Sequence, residues 1–345
     1  MSRFNSIPFS AVIRWMLTPA VLLFPQAVHA TAWNATAGAQ SPGEGIQALA
    51  FLPNELWVHV FDTITWTFPT SEIHTVTFLK QDTTPQQVRP RRPGVGGGCP
   101  GTTPDDSNFD GSACVTSQDD ELVNGGTYTV MFPKAGNFKL VCLVHNNMTG
   151  AVHVLAATEP LPFDQAFYDA QGHKEQTALL TDGAGLKGQG TTTAQQSSGD
   201  AVTVGTGEIV ATGGGSDSVS VMRFLQDSTV VRVGDTVEWT NLDPVTPHTV
   251  TFGPGPDPSP PQPPSPGVTV DTDGARHAVL TSPPPPGSVL HSGFLQAAFQ
   301  DQTGLAQLPL GVTRFRVTFT TPGTFNYRCA LHDVLGMEGR VIVLR

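Results

Sequence analysis

Apolar and polar residues alternate along much of the chain, as in Leu56-Trp57-Val58-His59-Val60 and Val230-Val231-Arg232-Val233, with Gly, Pro, Asn or Asp between the runs. A period of two sends one side chain into a core and the next into water, which is how a half-buried strand reads. The pattern predicts an all-β chain built from sandwich layers. One stretch departs from it: Pro162 to Asp182 spaces Phe163, Phe167 and Ala170 as on one face of a helix, although Gly172 weakens that face. The following "GAGLKGQGTTTAQQSSGD" is rich in Gly, Ser, Thr and Gln and reads as a flexible linker.

The alternating segments come twice. "FLPNELWVHVFDTITWTFPTSEIHTVTF" from Phe51 to Phe78 matches "FLQDSTVVRVGDTVEWTNLDPVTPHTVTF" from Phe224 to Phe252 with one added residue before the histidine. "VMFPKAGNFKLVC" ending at Cys142 likewise matches "VTFTTPGTFNYRC" ending at Cys329, and each is followed by a Val-rich tail. A tandem duplication is expected, with one domain over 31–157, a partly helical linker over 158–200 and a second domain over 201–345. Each copy holds a long insertion ahead of its final strands, about 81–125 in the first and about 254–310 in the second. The second insertion opens on "GPGPDPSPPQPPSPG", a polyproline-like run unsuited to a sheet.

Composition adds an address. The 345 residues include 36 Gly and 30 Pro, with only 14% charged, in keeping with β-domains joined by long turns. The first thirty residues carry Arg3 and Arg14 but no acid, then the apolar run "WMLTPAVLLF", then "AVHA" ending at Ala30, the pattern of a cleavable secretory signal. The apolar run, broken by Pro19, falls short of the roughly 20 residues a spanning helix needs. The mature chain, from about Thr31, is expected in the periplasm or secreted, with no membrane span. Losing Arg3 and Arg14 takes the formal net charge from −11 to −13, which disfavours nucleic acid. The one basic cluster, Arg89 to Pro93, lies among Pro and Gly without aromatics and reads as a solvated loop.

The chemistry sits in two short stretches. "CLVHNNM" spaces Cys142, His145 and Met148 three residues apart, and "CALHDVLGM" places Cys329, His332 and Met337 in the same order. Each copy also has one early histidine, His74 in "EIHTVTF" and His248 in "TPHTVTF". A thiolate, two imidazoles and a weak axial thioether are the donor set of a blue copper site, whose trigonal His₂Cys plane suits both Cu(I) and Cu(II). Other readings of these residues are a small buried hydrophobe with core filler, a zinc site, or a Cys–His nucleophile pair. Zinc sites rarely recruit Met, and no orienting acid for a nucleophile is apparent in the sequence.

The spacing C-x2-H-x2-M of the first copy resembles amicyanin, and C-x2-H-x4-M of the second resembles plastocyanin and pseudoazurin. With "DTITW" and "DTVEW" ahead of the early histidines and "GNFKLVC" and "GTFNYRC" ahead of the cysteines, both copies resemble cupredoxins, the insertions and linker excepted. The resemblance implies two tandem Greek-key β-sandwiches. It also implies two type 1 copper ions, one held by His74, Cys142, His145 and Met148, the other by His248, Cys329, His332 and Met337. Cys99 and Cys114 are left over in the first insertion and are expected to form a disulfide in an oxidising compartment.

Single-electron transfer is the expected function, with a cytochrome or another copper protein as redox partner and no catalytic residue in the chain. The alternatives are copper storage or delivery outside the cytoplasm, and a copper oxidoreductase with a catalytic site at an interface. An oxygen-reducing cluster needs paired HxH motifs, and none occurs: His59 and His153 stand alone as outward strand residues, His173 lies in the linker, and His277 and His291 in the second insertion lack ligand spacing. The edges of His145 and His332, each in a surface loop, are the expected electron ports.

Overall fold

The computed structural model describes residues 30–84, 99, 107–117, 123–196, 200–256, 264–297 and 312–345. The expected leader, the Arg89–Pro93 cluster and the middle of the Pro-rich run lie outside them. The N-terminal half contributes β1 (Ala32–Gln40), β2 (Ile46–Leu52), β3 (Glu55–His59), β4 (Thr63–Phe68), β5 (Thr77–Phe78), β6 (Ser107–Asn108), β7 (Val115–Thr116), β8 (Gly126–Met131), β9 (Gly136–Val141) and β10 (Thr149–Leu155). After α1 (Gln165–Gln196) follow β11 (Ala201–Ala211), β12 (Ser216–Leu225), β13 (Ser228–Arg232), β14 (Thr236–Leu242), β15 (Thr251–Phe252) and β16 (Thr269–Val270). The chain closes with β17 (Arg276–Leu280), β18 (Leu290–His291), β19 (Arg314–Phe319), β20 (Gly323–Arg328) and β21 (Glu338–Leu344).

The strands form all-β layers, as the alternation predicts. In the N-terminal half β2, β1, β4, β8 and β6 make one layer, and β3, β10, β9, β5 and β7 the other. In the C-terminal half β12, β11, β14, β19, β17 and β16 lie together, opposite β13, β21, β20, β15 and β18. Burial alternates along β4 and β14, and their inward Trp66 and Trp239 meet Phe78 and Phe252 at ring-centroid distances of 5.7 and 5.5 Å. Each insertion also lends a short strand to its sheet. Thr116 pairs with Thr77 and His291 with Thr251, while Ser117 and Ser292 hydroxyls accept the Val76 and Val250 N–H groups at 3.0 and 2.8 Å. Cys99 and Cys114 are joined, Cα to Cα 5.2 Å, and their bridge packs on Leu79 and Val141. Closing a loop of this length contributes about 3 kcal/mol.

The two halves share one sheet. β12 pairs antiparallel with β2, Ser220 opposite Gln47, Val221 opposite Ile46 and Val219 opposite Ala48. Every residue of β2 is buried, because each of its faces has a cover. Leu49 and Phe51 enter the sandwich core, while Ile46, Ala48, Ala50 and Leu52 meet α1 through Leu179, Leu180 and Leu186.

The helix starts near where the spacing predicts, with the Asp164 carboxylate accepting the Phe167 N–H at 2.9 Å as an N-cap. It does not give way to a flexible linker at Asp182 but runs on to Gln196. Packing explains the difference. A Cβ on Gly183 would lie 2.4 Å from Ile46 and 2.7 Å from Val219, one on Gly190 2.3 Å from Leu225, and one on Gly172 3.1 Å from the Leu52–Pro53 backbone. These glycines let the helix lie flat on β2 and β12. Each costs a helix about 1 kcal/mol relative to Ala, whereas fully burying a Leu, Ile or Val side chain contributes about 1.5–3 kcal/mol, so docking wins. Thr177, Thr181, Thr191 and Thr192 each turn a hydroxyl onto the carbonyl four residues back, satisfying that group within the helix. No helix among the described residues is long and apolar enough to cross a membrane.

One polar node fastens β10, β12, α1 and the turn after β2. Asn54 donates its side-chain amide to the Thr149 carbonyl at 2.6 Å and to Asp217 Oδ1 at 2.7 Å, and its backbone N–H to Glu175 Oε2 at 3.0 Å. Burial, reinforced by the Glu175 carboxylate, pushes Asp217 from an ordinary 3.8 up to about 8. Between about pH 4 and pH 8 the unfolded chain has then released this proton while the folded chain keeps it. Asp217 therefore makes stability fall as pH rises through that window, by up to about 1.4 kcal/mol per pH unit. Asp217→Asn should flatten this part of the curve and gain most over the native chain at pH 8, as read by chemical denaturation at pH 5 and pH 8. An equal slope in both proteins would mean Asp217 is already ionised in the fold.

Candidate metal centres

Strand pairing brings the separated donors together in each half. β5 pairs with β9, Thr77 opposite Val141, so His74 just before β5 meets Cys142 just after β9. β15 pairs with β20, Thr251 opposite Arg328, and does the same for His248 and Cys329. The threonine after each early histidine tightens this meeting: Thr75 Oγ1 accepts the Leu143 N–H and Thr249 Oγ1 the Ala330 N–H, both at 2.7 Å. Each donor loop then closes on itself, the Cys142 N–H donating to the Met148 carbonyl at 2.9 Å and the Cys329 N–H to the Met337 carbonyl at 3.0 Å. The longer second loop fits its extra residues into a 3-10 turn, Asp333–Leu335, ended by Gly336 at φ 82°. Met148 and Met337 are fully buried.

Two groups of buried donors result, His74 with Cys142 and His145, and His248 with Cys329 and His332, the ligand-type atoms of each group lying within 4.8 Å of one another. Cys329 Sγ is 3.5 Å from His332 Nδ1 and 4.0 Å from His248 Nδ1, and the two Nδ1 atoms are 3.1 Å apart. Cys142 Sγ is 3.8 Å from His145 Nδ1. A metal bonded at about 2.0–2.3 Å to nitrogen and sulfur keeps such donors roughly 3–4 Å apart. Both nitrogens of His74 are buried with no hydrogen-bond partner, an arrangement that is costly unless something else engages them. The donor set and this orphaned imidazole fit a bound metal ion.

Charge in both groups is held by mutual pairing. Burial alone would raise the Cys142 thiol, but the His145 and His74 imidazoles outweigh it and hold it well below the usual thiol value. His332 and His248 do the same for Cys329. Against its own burial, His145 is lifted to about 10 by the Cys142 sulfur and the Glu72 carboxylate, and His248 to about 9 by Asp243 and Cys329. Glu72, which burial would raise, is brought down to about 2 by the His145 hydrogen bond and the nearby His332, His145 and His74. Backbone N–H groups of Thr75 and His145 point at Cys142 Sγ, and that of Thr249 at Cys329 Sγ, all at 3.4 Å.

Several residues shaping the sites escape a reading of the sequence. Gly38 (φ 81°) and Gly205 (φ 70°) sit at bulges in β1 and β11, where an added Cβ would lie 2.3 Å from the Nε2 of His74 and of His248. A glycine inside a strand run was the available signal. Asp243 Oδ2 lies 3.2 Å from His248 Nε2 and accepts a short hydrogen bond from Ser220, which leaves His248 Nδ1 to face the sulfur. Glu72 stands two residues before His74 inside the quoted motif, yet its partner His145 lies in the other segment.

The expectation of exposed electron ports is corrected. His145 and His332 keep only 3% and 4% of their surface, because their outer edges turn toward Glu72 rather than solvent. Among the described residues, the other histidines lie apart from both groups as donors. His153 stacks on Trp57 and bonds Glu55, His59 meets the Glu159 carbonyl, and His277 bonds Thr318. His291 is fully buried against the Thr251 hydroxyl.

Because His145 and His248 titrate near 10 and 9 in the metal-free fold, a metal ion binding at neutral pH must displace a proton from each. Titrating Zn(II) at pH 8 in buffers of differing ionisation enthalpy should show release of about one proton per site. The release should fade above pH 9 at the second site and above pH 10 at the first, apparent affinity rising with pH until then. Uptake with no proton release at pH 8 would mean the imidazoles are already neutral.

Among solved structures, a mutant plastocyanin of a fern is 21% identical, over 42% of this chain and 99% of that one, with a TM-score of 0.21. The oxidised plastocyanin of Dryopteris crassirhizoma is 20% identical over the same shares, also at 0.21. A mutant amicyanin in its Cu(I) form is 21% identical over 36% of this chain and 74% of that one, at 0.20. Residues 210–344, which carry His248, Cys329, His332 and Met337, match the family of copper binding proteins of the plastocyanin/azurin type.

Proposed function

We propose that the chain is a tandem duplication of a cupredoxin domain, over 31–157 and 201–345, which transfers single electrons through two type 1 copper centres. The carrying observation is the pair of buried His/Cys/His groups, alike in composition and in the strand pairing that builds them. His74, Cys142 and His145 would hold the first ion with Met148 as axial donor, and His248, Cys329 and His332 the second with Met337. Copper bound there would supply a Cu(I)/Cu(II) couple. The chain's part is to keep three strong donors nearly fixed, so that little rearrangement accompanies the change of charge. Strand pairing, the Thr75 and Thr249 ties and the closed loops serve that end. Burial of both methionines agrees with axial roles. The signal-like pattern of residues 1–30 and the Cys99–Cys114 bridge support export to an oxidising compartment, where a cytochrome or another copper protein would be the redox partner.

The burial of both outer histidine edges also suits a second reading, copper holding or delivery without obligatory turnover. Rapid reduction and reoxidation by a cytochrome separates the two, since a store need not exchange electrons quickly.

The mature chain should bind two copper ions and show an intense thiolate-to-copper band when oxidised. Cys142→Ser and Cys329→Ser should each abolish one site and spare the other, by metal analysis with visible and electron paramagnetic resonance spectra. One copper per chain, or zinc taken in preference under matched loading, would defeat the two-centre reading. Met337→Leu should raise the second centre's reduction potential, because a weak sulfur donor favours Cu(II), and Met337→Gln, with a harder oxygen donor, should lower it. Voltammetry with both potentials unmoved would remove Met337 from the site.

A further inference from the structure

The outward nitrogens of the two candidate centres approach one carboxylate. Glu72 Oε1 is 3.2 Å from His145 Nε2, and Glu72 Oε2 is 3.9 Å from His332 Nε2. His145 and Glu72 belong to the N-terminal half and His332 to the other, so the carboxylate spans the seam. Water is nearly excluded, Glu72 keeping 9% of its surface. The C-terminal half has no acid at the matching position: the residue two before His248 is Thr246, where Glu72 stands two before His74. One negative charge therefore serves two imidazoles.

A histidine that faces the site through Nδ1 presents Nε2 as its outer edge, and a hydrogen-bonded group there orients the ring and tunes the metal behind it. In a separate domain that edge would meet water or a partner. In this chain the His145 edge is within hydrogen-bond reach of Glu72, and the His332 edge faces the same carboxylate at an ion-pair separation.

We propose that Glu72 joins the two centres into one unit, giving an electron an internal path between them through His145 and His332. The proposal rests on reading both groups as copper centres. Transfer along the path oxidises the copper that gives up the electron and reduces the one that receives it; no bond breaks, and both Nε2 protons stay in place. Its negative charge, lying near both rings in a water-poor seam, also favours the Cu(II) form at both. Glu72 is thus a positioning and coupling residue, acting through the histidines.

The test uses the full copper-loaded chain as native protein, Glu72→Gln, Glu72→Asp, and Asp243→Asn, the last at a carboxylate that pairs with His248 among the donor histidines. Spectroelectrochemistry reads both potentials, and a pulse of reductant supplying less than one electron per chain reads how fast the two centres equilibrate. Glu72→Gln, which keeps an acceptor but no charge, should raise both potentials and slow an equilibration that does not depend on protein concentration. Asp243→Asn should shift the second centre alone. If Glu72→Gln fails to fold, Glu72→Asp decides: it should keep both potentials near native, with slower equilibration because the shorter side chain cannot span both rings. In the metal-free chain, the Nε2–H resonances of His145 and His332 should both move in the Glu72 variants.

Intact colours in Glu72→Gln with only one potential moved, or neither, would overturn the proposal, as would a native equilibration rate in Glu72→Asp or equilibration that speeds up with protein concentration. A native chain that fails to take two coppers would overturn the reading beneath it. The metal-free resonances tell the cases apart, since both still respond if the carboxylate bridges as described.

Discussion

The antiparallel pairing of β2 with β12 is the contact on which the other features depend. It turns two sheets into one, gives α1 a continuous apolar surface, and brings the donor loops of both halves to a common seam. Carried back four residues, the register that matches Phe51 with Phe224 sets Gln47 level with Ser220, and these same two residues face each other across the strand pair. Their neighbours exchange in the same way, Ile46 with Val221 and Ala48 with Val219. The joint is thus self-complementary, as between two copies of one subunit.

Each candidate centre is a buried set of charges whose members have few partners except one another. An isolated buried ion costs several kcal/mol, and only close geometry with further hydrogen bonds offsets this. Here sulfur faces imidazole, imidazole faces carboxylate, and backbone N–H groups point at the sulfur. A cation entering such a set takes the place of protons, so the metal-free form is already arranged as the metal-bound form requires.

Much of this was legible in the sequence, because its carriers were local or repeated. The period-two alternation foretold the strands, and the spaced Cys and His pairs with their early histidines hold the side chains that lie together in each half. The length of α1 was hidden. Gly172, Gly183 and Gly190 read as helix breakers, and only the closeness of Ile46, Val219 and Leu225 shows them to be docking positions. Glu72 was hidden for a related reason. Its neighbour in sequence is His74, but its carboxylate serves His145 and His332, one 73 residues away and the other in the opposite half. The exposure expected for those histidines failed on the same ground, since a surface loop on one sandwich becomes an interior loop when a second sandwich covers it.

The single carboxylate at the seam has a consequence for how such a molecule can evolve. A homodimer encoded by one gene must repeat every residue on both sides of its axis, so an acid placed where Glu72 stands would arrive in duplicate, and two carboxylates close together in a dry seam repel. Two units joined in one chain escape that restriction. One half can keep the acid while the other carries Thr246, and the covalent link then permits a pairing at the boundary that symmetry would forbid.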